Sequence, residues 1–367
     1  MNCLVRHALY GMATLALGVQ PSAAPTPAAG SIERIATLGT ARAAHTTTAL
    51  PSGDLLVAGG MGAGGSSLSS AELIDMKAAT VEAVASMTQA RVGHTATVLP
   101  DGRVVLAGGY NGEYLASVEV FDPARKRFVM LGQLSEGRSG HTATLLADGR
   151  ILIVGGVGRG WSFLASAELF DPVTGRSQPA GPMSVPRESH TATLLTDGRV
   201  LVVGGHRGRR ESMEVYGSAE LYDPATRRFQ RTAQLTTARH KHDAVRLSDG
   251  RVLVVGGADR TDRRYYATTE VYNPVTVAFE AGPSMVNSRY KMQGTSVRLA
   301  NGDVLVSSGA RGAELLDRRT FTFHAVAGDF PSAFYFATAT PRSTGDVVIV
   351  GGYGPDNQNT AGVWRFR

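Results

Sequence analysis

Arg187-Glu-Ser-His190-Thr-Ala-Thr-Leu-Leu-Thr-Asp197-Gly198-Arg-Val-Leu-Val-Val-Gly204-Gly205 is the stretch that decides the architecture. Arg91 to Gly109 repeats it nearly residue for residue. Arg42 to Gly60, Arg138 to Gly156 and Arg239 to Gly257 carry the same phrase. Lys291 to Gly309 and the segment ending at Gly352 read as worn copies, which makes seven. Self-similarity with a period near fifty residues marks a stacked or ring-shaped repeat architecture.

Each copy holds two short β-rich runs around a turn dipeptide: Asp101-Gly102, Asp148-Gly149, Asp197-Gly198, Asp249-Gly250 or Asn301-Gly302. Such pairs favour a two-residue type I′ hairpin turn, in which both residues take positive φ. Val200 to Val203 and Val252 to Val255 are continuously apolar, so both sheet faces should be covered there. A third run, such as Ser218 to Tyr222, ends in Asp223-Pro224-Ala225-Thr226, where proline suits position i+1 of a type I turn. A fourth, Phe229 to Leu235, leads into the next copy.

One such sheet cannot cover both of its own faces, so neighbours must stack, and closing the stack into a ring leaves only short protected edges. Ile32 to Leu38 reads like a fourth strand, whereas Val363 to Phe366 reads like a third strand with no fourth after it. The expected fold is therefore all-β: a seven-bladed β-propeller of four-stranded antiparallel blades. The N-terminal strand should pair with the C-terminal blade and close the ring. The double glycines Gly59-Gly60, Gly108-Gly109, Gly155-Gly156, Gly204-Gly205, Gly256-Gly257 and Gly351-Gly352, with Ser308-Gly309 in the sixth unit, carry a resemblance to the kelch-repeat superfamily of propellers, which includes exported bacterial members. The resemblance covers residues 31–367. The tryptophan usual on that family's fourth strand is replaced here by Phe128, Phe229, Phe279 and Phe323.

Residues 1–29 differ from the rest. Arg6 precedes a short apolar stretch from Ala8 to Val19, and small residues follow to Ala29, the pattern of a secretory signal peptide. The expected organisation is a signal peptide over 1–29 and a propeller over 30–367, secreted or periplasmic. Cys3 is the only cysteine. A chain lacking it has neither a disulfide nor a thiolate metal site nor a cysteine nucleophile. The formal charge is +6, carried almost wholly by arginine, with lysine only at 77, 126, 241 and 291. No run of consecutive basic residues resembles a nucleic-acid arm, so nucleic acid is not an expected partner. A monomer without a membrane anchor is expected.

Two sets of repeated polar residues look like chemistry and read better as scaffold. His45, His94, His141, His190 and His242 each precede a first strand, and histidines spread around a ring cannot converge on one metal ion. Each arginine three residues earlier has a matching acid on the third strand: Glu72, Glu119, Glu168, Glu220 and Glu270, with Lys291 and Glu314 expected to pair in the sixth unit. In the seventh unit both charges are missing, with Phe334 near the arginine position and Gly362 at the acid position. Joint presence and joint absence imply a charge-assisted arginine–glutamate clasp.

Function in a repeat protein belongs where the copies differ on an exposed face. The loops before the first strands and after the double glycines differ strongly. Blade four offers His206, Arg207, Arg209 and Arg210; blade five offers His240, Lys241, Arg260, Arg263, Arg264 and Tyr265; Trp161 and Tyr290 come from blades three and six. Arginine forks suit carboxylate, sulfate or phosphate, and aromatic faces suit sugar rings. These residues form the expected ligand site of a binding module for a protein or an anionic glycan, with no cofactor and no metal.

Enzymatic alternatives come from the resemblance. The superfamily includes galactose oxidase, whose copper-radical site depends on a tyrosine cross-linked to cysteine, and no cysteine follows Cys3 here. It also includes exported proteins that interconvert sialic-acid anomers by acid–base chemistry. His206, Glu211, Glu214, Asp259 and Asp262 are the side chains that could supply such chemistry, as a cofactor-free carbohydrate isomerase or mutarotase. No catalytic residue is assigned from sequence. An enzyme should show one buried acid–base pair in the central pocket, and a binder an exposed basic, aromatic rim.

Overall fold

A computed structural model describes residues 30–328 and 330–367, so the signal peptide expected over 1–29 lies outside the described residues. The chain forms seven four-stranded antiparallel sheets. Blade four is representative, running outward from the axis through Thr191–Leu194, Val200–Val203, Ala219–Asp223 and Arg228–Arg231. The first strands of successive blades neighbour one another all the way round, which closes the ring. Blade seven takes Thr338–Pro341, Val347–Val350 and Gly362–Phe366 from one end of the sequence and Ile32–Thr37 from the other. Ile32 stands opposite Phe366, and Glu33 opposite Arg365.

Apolar second strands explain where the core sits. Val200–Val203 and Val252–Val255 are buried at every position, as continuous runs covered on both faces should be. The core is divided into seven clusters, one between each pair of neighbouring blades. Leu56 and Leu73 of blade one, for example, pack with Val104, Leu106 and Phe121 of blade two. A fully buried Leu or Val contributes about 1.5–3 kcal/mol, so the ring is held chiefly by these interfaces.

The double glycines are the joints between blades. Gly204 and Gly205 have φ of +63° and +86°. A Cβ on Gly204 would lie 2.6 Å from the Arg239 carbonyl oxygen of the next blade, and one on Gly205 would lie 2.7 Å from the Glu188 carbonyl oxygen. Only glycine satisfies both demands. The Gly205 N–H then donates to the Arg239 carbonyl at 3.0 Å, and the equivalent bond recurs at all seven interfaces, ending with Gly352 to Arg42 at 2.9 Å.

The arginine–glutamate clasp is present in six blades, at 2.6–3.0 Å, with every arginine side chain fully buried. In blade four, Arg187 reaches the Gly204 carbonyl at 2.8 Å and Glu220 at 2.9 Å, while Glu220 accepts the Ser184 N–H from the incoming loop at 2.8 Å. The carboxylate thus pins the crossing from the preceding blade to the arginine. The expected Lys291–Glu314 pair is corrected: Arg289 binds Glu314 at 2.9 Å. The seventh unit is corrected as well. Trp364, not Gly362, stands opposite Ile349 where the other blades carry glutamate, and its ring lies 5.0 Å from that of Phe334. An aromatic pair therefore fills the space that a charged pair fills elsewhere.

The turn type also differs from expectation. In blade four the Gly198 N–H donates to the Leu195 carbonyl at 3.2 Å, and the Leu195 N–H donates to the Arg199 carbonyl at 2.8 Å. The loop therefore has three residues, Thr196-Asp197-Gly198, and only the glycine has positive φ, at +87°. Such loops combine a turn with a glycine bulge. Asp197 is free to accept the Arg199 backbone N–H at 3.0 Å instead.

Candidate functional site

The ring encloses a cavity of about 1100 Å³ along the axis, walled by the first strands of the blades. Five histidines belong to that wall. Each bonds through Nε2 to the threonine hydroxyl that opens the preceding blade: His94 to Thr46, His141 to Thr95, His190 to Thr142, His242 to Thr191 and His45 to Thr338, at 3.1–3.2 Å. Burial holds His45, His141 and His190 near pKa 3, with the neighbouring arginine adding to the effect. They are neutral inter-blade ties.

Symmetry breaks at blades five and six. Asp243 occupies the threonine position, and Met292 replaces the next histidine. Buried Asp243 instead accepts the N–H groups of Thr295 at 2.9 Å and Ser296 at 2.7 Å. Burial raises its pKa to about 6 against the pull of those bonds.

Charged side chains gather where the variable loops meet the cavity. His206, Arg209, Arg210, Lys241 and Arg260, all anticipated from sequence, line it together with Glu188 and Asp262. Arg209 also lies over Trp161, 4.0 Å from the ring centroid, and Tyr114 and Tyr110 flank that ring at 5.9 and 6.4 Å. The cluster has two acid-containing groups. In the first, His206 Nε2 is 3.7 Å and Arg209 is 3.9 Å from Glu188 Oε2. Burial raises the Glu188 pKa although Arg209 and Lys241 oppose it, and burial beside His240 brings His206 down to about 3. In the second, Asp262 faces His240 Nε2 at 3.2 Å and Lys241 Nζ at 2.5 Å. Burial works against its charge, but the bonds from His240 and Lys241 outweigh it and hold the carboxyl well below the usual range.

Other anticipated residues stand apart from the cavity. Arg207 pairs with Glu214 at 2.7 Å on the exposed loop. Arg264 leans over Tyr266 at 5.9 Å, and Arg263 is exposed. His240 is fully buried behind Lys241, its ring 4.7 Å from that of His206. Tyr265 and Tyr290 stack at 3.8 Å and 7° in a separate aromatic group with Tyr335 and Tyr353. Of the acid–base candidates, Glu211 is exposed, Glu214 is taken by Arg207, and Asp259 caps its own turn through Thr261 at 2.8 Å. Glu188 was not anticipated. It is the residue after the clasp arginine, where other blades carry Ala43, Val92 or Ser139, and that contrast is its sequence signal.

Residues 90–135 and 138–184, which span blades two and three, each match the Kelch motif family. The chain is a kelch-repeat propeller. No curated protein matches it closely. Among the described residues no helix is long and apolar enough to cross a membrane, and no group of three or more His, Cys, Asp or Glu could hold a metal ion. What distinguishes this kelch ring from a symmetric one is the charged mouth at blades four and five.

Proposed function

We propose that this kelch propeller is an exported binding module whose loop face receives an anionic ligand of sugar-acid size at the mouth of the axial cavity. The observation that carries the reading is the charge balance there: Arg209, Arg210, Lys241 and Arg260 against Glu188, Asp262 and the buried Asp243. Among the described residues neither Arg210 nor Arg260 has an ion-pair partner, so both forks remain open to a carboxylate or sulfate. A cavity of about 1100 Å³ lies at the upper end of small-ligand sites and suits a mono- or disaccharide end better than a flat protein epitope. Trp161 offers a half-exposed ring at the rim for a sugar face. The leader-like residues 1–29 support a place outside the cytoplasm.

Calorimetry with a uronic or sialic acid beside the neutral sugar of the same size tests this reading. The acid should bind more tightly, and more weakly as salt rises. Equal affinity for acid and neutral sugar would overturn it.

A second reading, cofactor-free interconversion of sugar anomers, is favoured by Glu188 and His206. A carboxyl with raised pKa lies 3.7 Å from a neutral imidazole, an acid beside a base. Exchange between anomers measured by magnetization transfer, lost in Glu188→Gln, separates this reading from simple binding.

A further inference from the structure

The residue two places after each clasp arginine, or after its counterpart Phe334, adopts left-handed backbone: Ala44, Gly93, Gly140, Ser189, Lys241, Lys291 and Phe336, with φ from +49° to +65°. Their main chains join blade to blade around the cavity, with the Lys291 N–H donating to the Lys241 carbonyl and the Phe336 N–H to the Lys291 carbonyl, both at 3.0 Å. This conformation costs a residue with a Cβ about 1–2 kcal/mol, and blades one to four place small residues there. Blades five and six place lysine, and blade seven phenylalanine. The chain has only four lysines, and the other two, Lys77 and Lys126, are exposed on outer turns. Strain retained at the rim of a cavity, where Lys241 lines it and Lys291 stands beside it, points to a use for the side chains.

The two lysines are held differently. Lys241 is paired with Asp262. Lys291 has no carboxylate within ion-pair distance among the described residues. Its Nζ donates to the Tyr353 hydroxyl at 2.6 Å and lies 5.0 Å from the Tyr290 ring, 5.3 Å from Tyr353, 5.5 Å from Tyr335 and 5.9 Å from Phe336. Arginine would serve such an aromatic cage or an anion at least as well, and this chain uses arginine nearly everywhere. Lysine alone of the two can give up its proton and become a nucleophile. We propose that Lys291 is a reactive amine that forms an imine with a carbonyl-bearing ligand, an aldehyde or an α-keto acid, arriving on the loop face at the aromatic group beside the cavity.

In that step the Nζ lone pair adds to the carbonyl carbon, and the carbonyl oxygen takes up a proton to give a carbinolamine. Loss of that oxygen as water leaves the C=N bond, with no net oxidation or reduction. Tyr353, already bonded to Nζ, is placed to relay the proton. Burial lowers the Lys291 pKa, while Asp262 and Tyr265 pull the other way. Tyr290 and Tyr335, which also face Nζ, are held neutral by burial.

The test uses the intact folded protein with cyanoborohydride at pH 7, in one arm with formaldehyde and in another with glyoxylate, followed by peptide mass spectrometry. Formaldehyde carries no charge and probes the amine alone. Glyoxylate rests in addition on the anionic-ligand reading. Labelling at Lys291 more than about three-fold faster than at Lys77 and Lys126 is expected in both arms. Formaldehyde labelling of Lys291 no faster than of the exposed lysines overturns the proposal. Preferential labelling by formaldehyde but not by glyoxylate sustains the amine and counts against the anionic reading instead. Tyr353→Phe should slow Lys291 labelling while leaving Lys77 unchanged, and an unchanged rate at Lys291 removes the tyrosine from the step.

Discussion

The guanidinium of Arg91 and the carboxylate of Glu119 meet at 2.6 Å, and neither side chain is exposed to solvent. Glu119 also accepts the Thr88 N–H at 2.8 Å, and Arg91 donates to the Gly108 carbonyl at 2.6 Å. One pair thereby ties the incoming loop, the second strand and the third strand of blade two.

Removing one member of such a pair leaves the other buried without compensation, at a cost of roughly 3–5 kcal/mol. Glu119→Ala should shift the urea midpoint down accordingly, and Glu220→Ala should do the same in blade four. Ligand affinity of the folded fraction should hold. An unchanged midpoint would mean that the clasp contributes nothing net to stability.

The buried histidines predict acid sensitivity. Their pKa falls from about 6.5 unfolded to about 3 folded for His45, His141 and His190, so the unfolded chain takes up protons that the folded one refuses. Stability is complete above the unfolded value and declines as pH drops through the window from about 6.5 to 3, by up to about 1.4 kcal/mol per pH unit for each histidine. Thermal midpoints at pH 7.5, 6 and 5 measure this. His141→Gln should flatten the slope, and an identical slope would exclude His141 as a contributor.

Arg209, Arg210 and Arg260 converge on the cavity mouth from two blades. Replacing all three by alanine should abolish the salt dependence of anionic-ligand binding and weaken it by at least about ten-fold, as about 1.4 kcal/mol per tenfold implies. The thermal midpoint should change little, since none of the three is buried. Retained salt dependence would move the binding surface elsewhere on the ring.

Ser189 has φ of +55° in the blade-four position where blades two and three carry Gly93 and Gly140. Ser189→Gly removes that strain at some entropic cost in the unfolded chain, and a gain of about 0.5–1 kcal/mol is expected. A lower thermal midpoint would show that the serine side chain contributes more than its backbone costs.

The propeller was legible because seven copies of one phrase leave few ways to cover every sheet face. Details that depend on counting were less so. In blade four the clasp arginine lies 17 residues before its glycine carbonyl partner, but Arg289 lies 19 before Ser308, because residues near Gly294 are inserted. Counting back from Gly309 at the usual spacing therefore lands on Lys291, and the pair with Glu314 was assigned to the wrong cation. Trp364 was missed because the loops between second and third strands vary in length, and only strand pairing fixes which residue faces Ile349.

The site was legible in part for a related reason. Loop variability marked His206, Arg209, Arg210, Lys241 and Arg260 as neighbours of a common face. It also gathered Arg207, Arg263 and Arg264, whose side chains the folded loops turn outward, since a sequence shows membership of a loop and not its direction. Glu188 escaped because it sits inside the repeated phrase, one residue from the clasp, where attention falls on what recurs.

Ile32–Thr37 and Gly362–Phe366 are adjacent strands, yet Glu33 and its partner Arg365 are separated by 332 positions along the chain. A ribosome delivers the first of these strands long before the second exists. Six blades can assemble on each other as they emerge, while the seventh must wait for Gly362–Phe366 to be made and to meet Ile32–Thr37. Completion of the circle therefore comes late, after the blades that lie between the two strands, and refolding should show its slowest phase there.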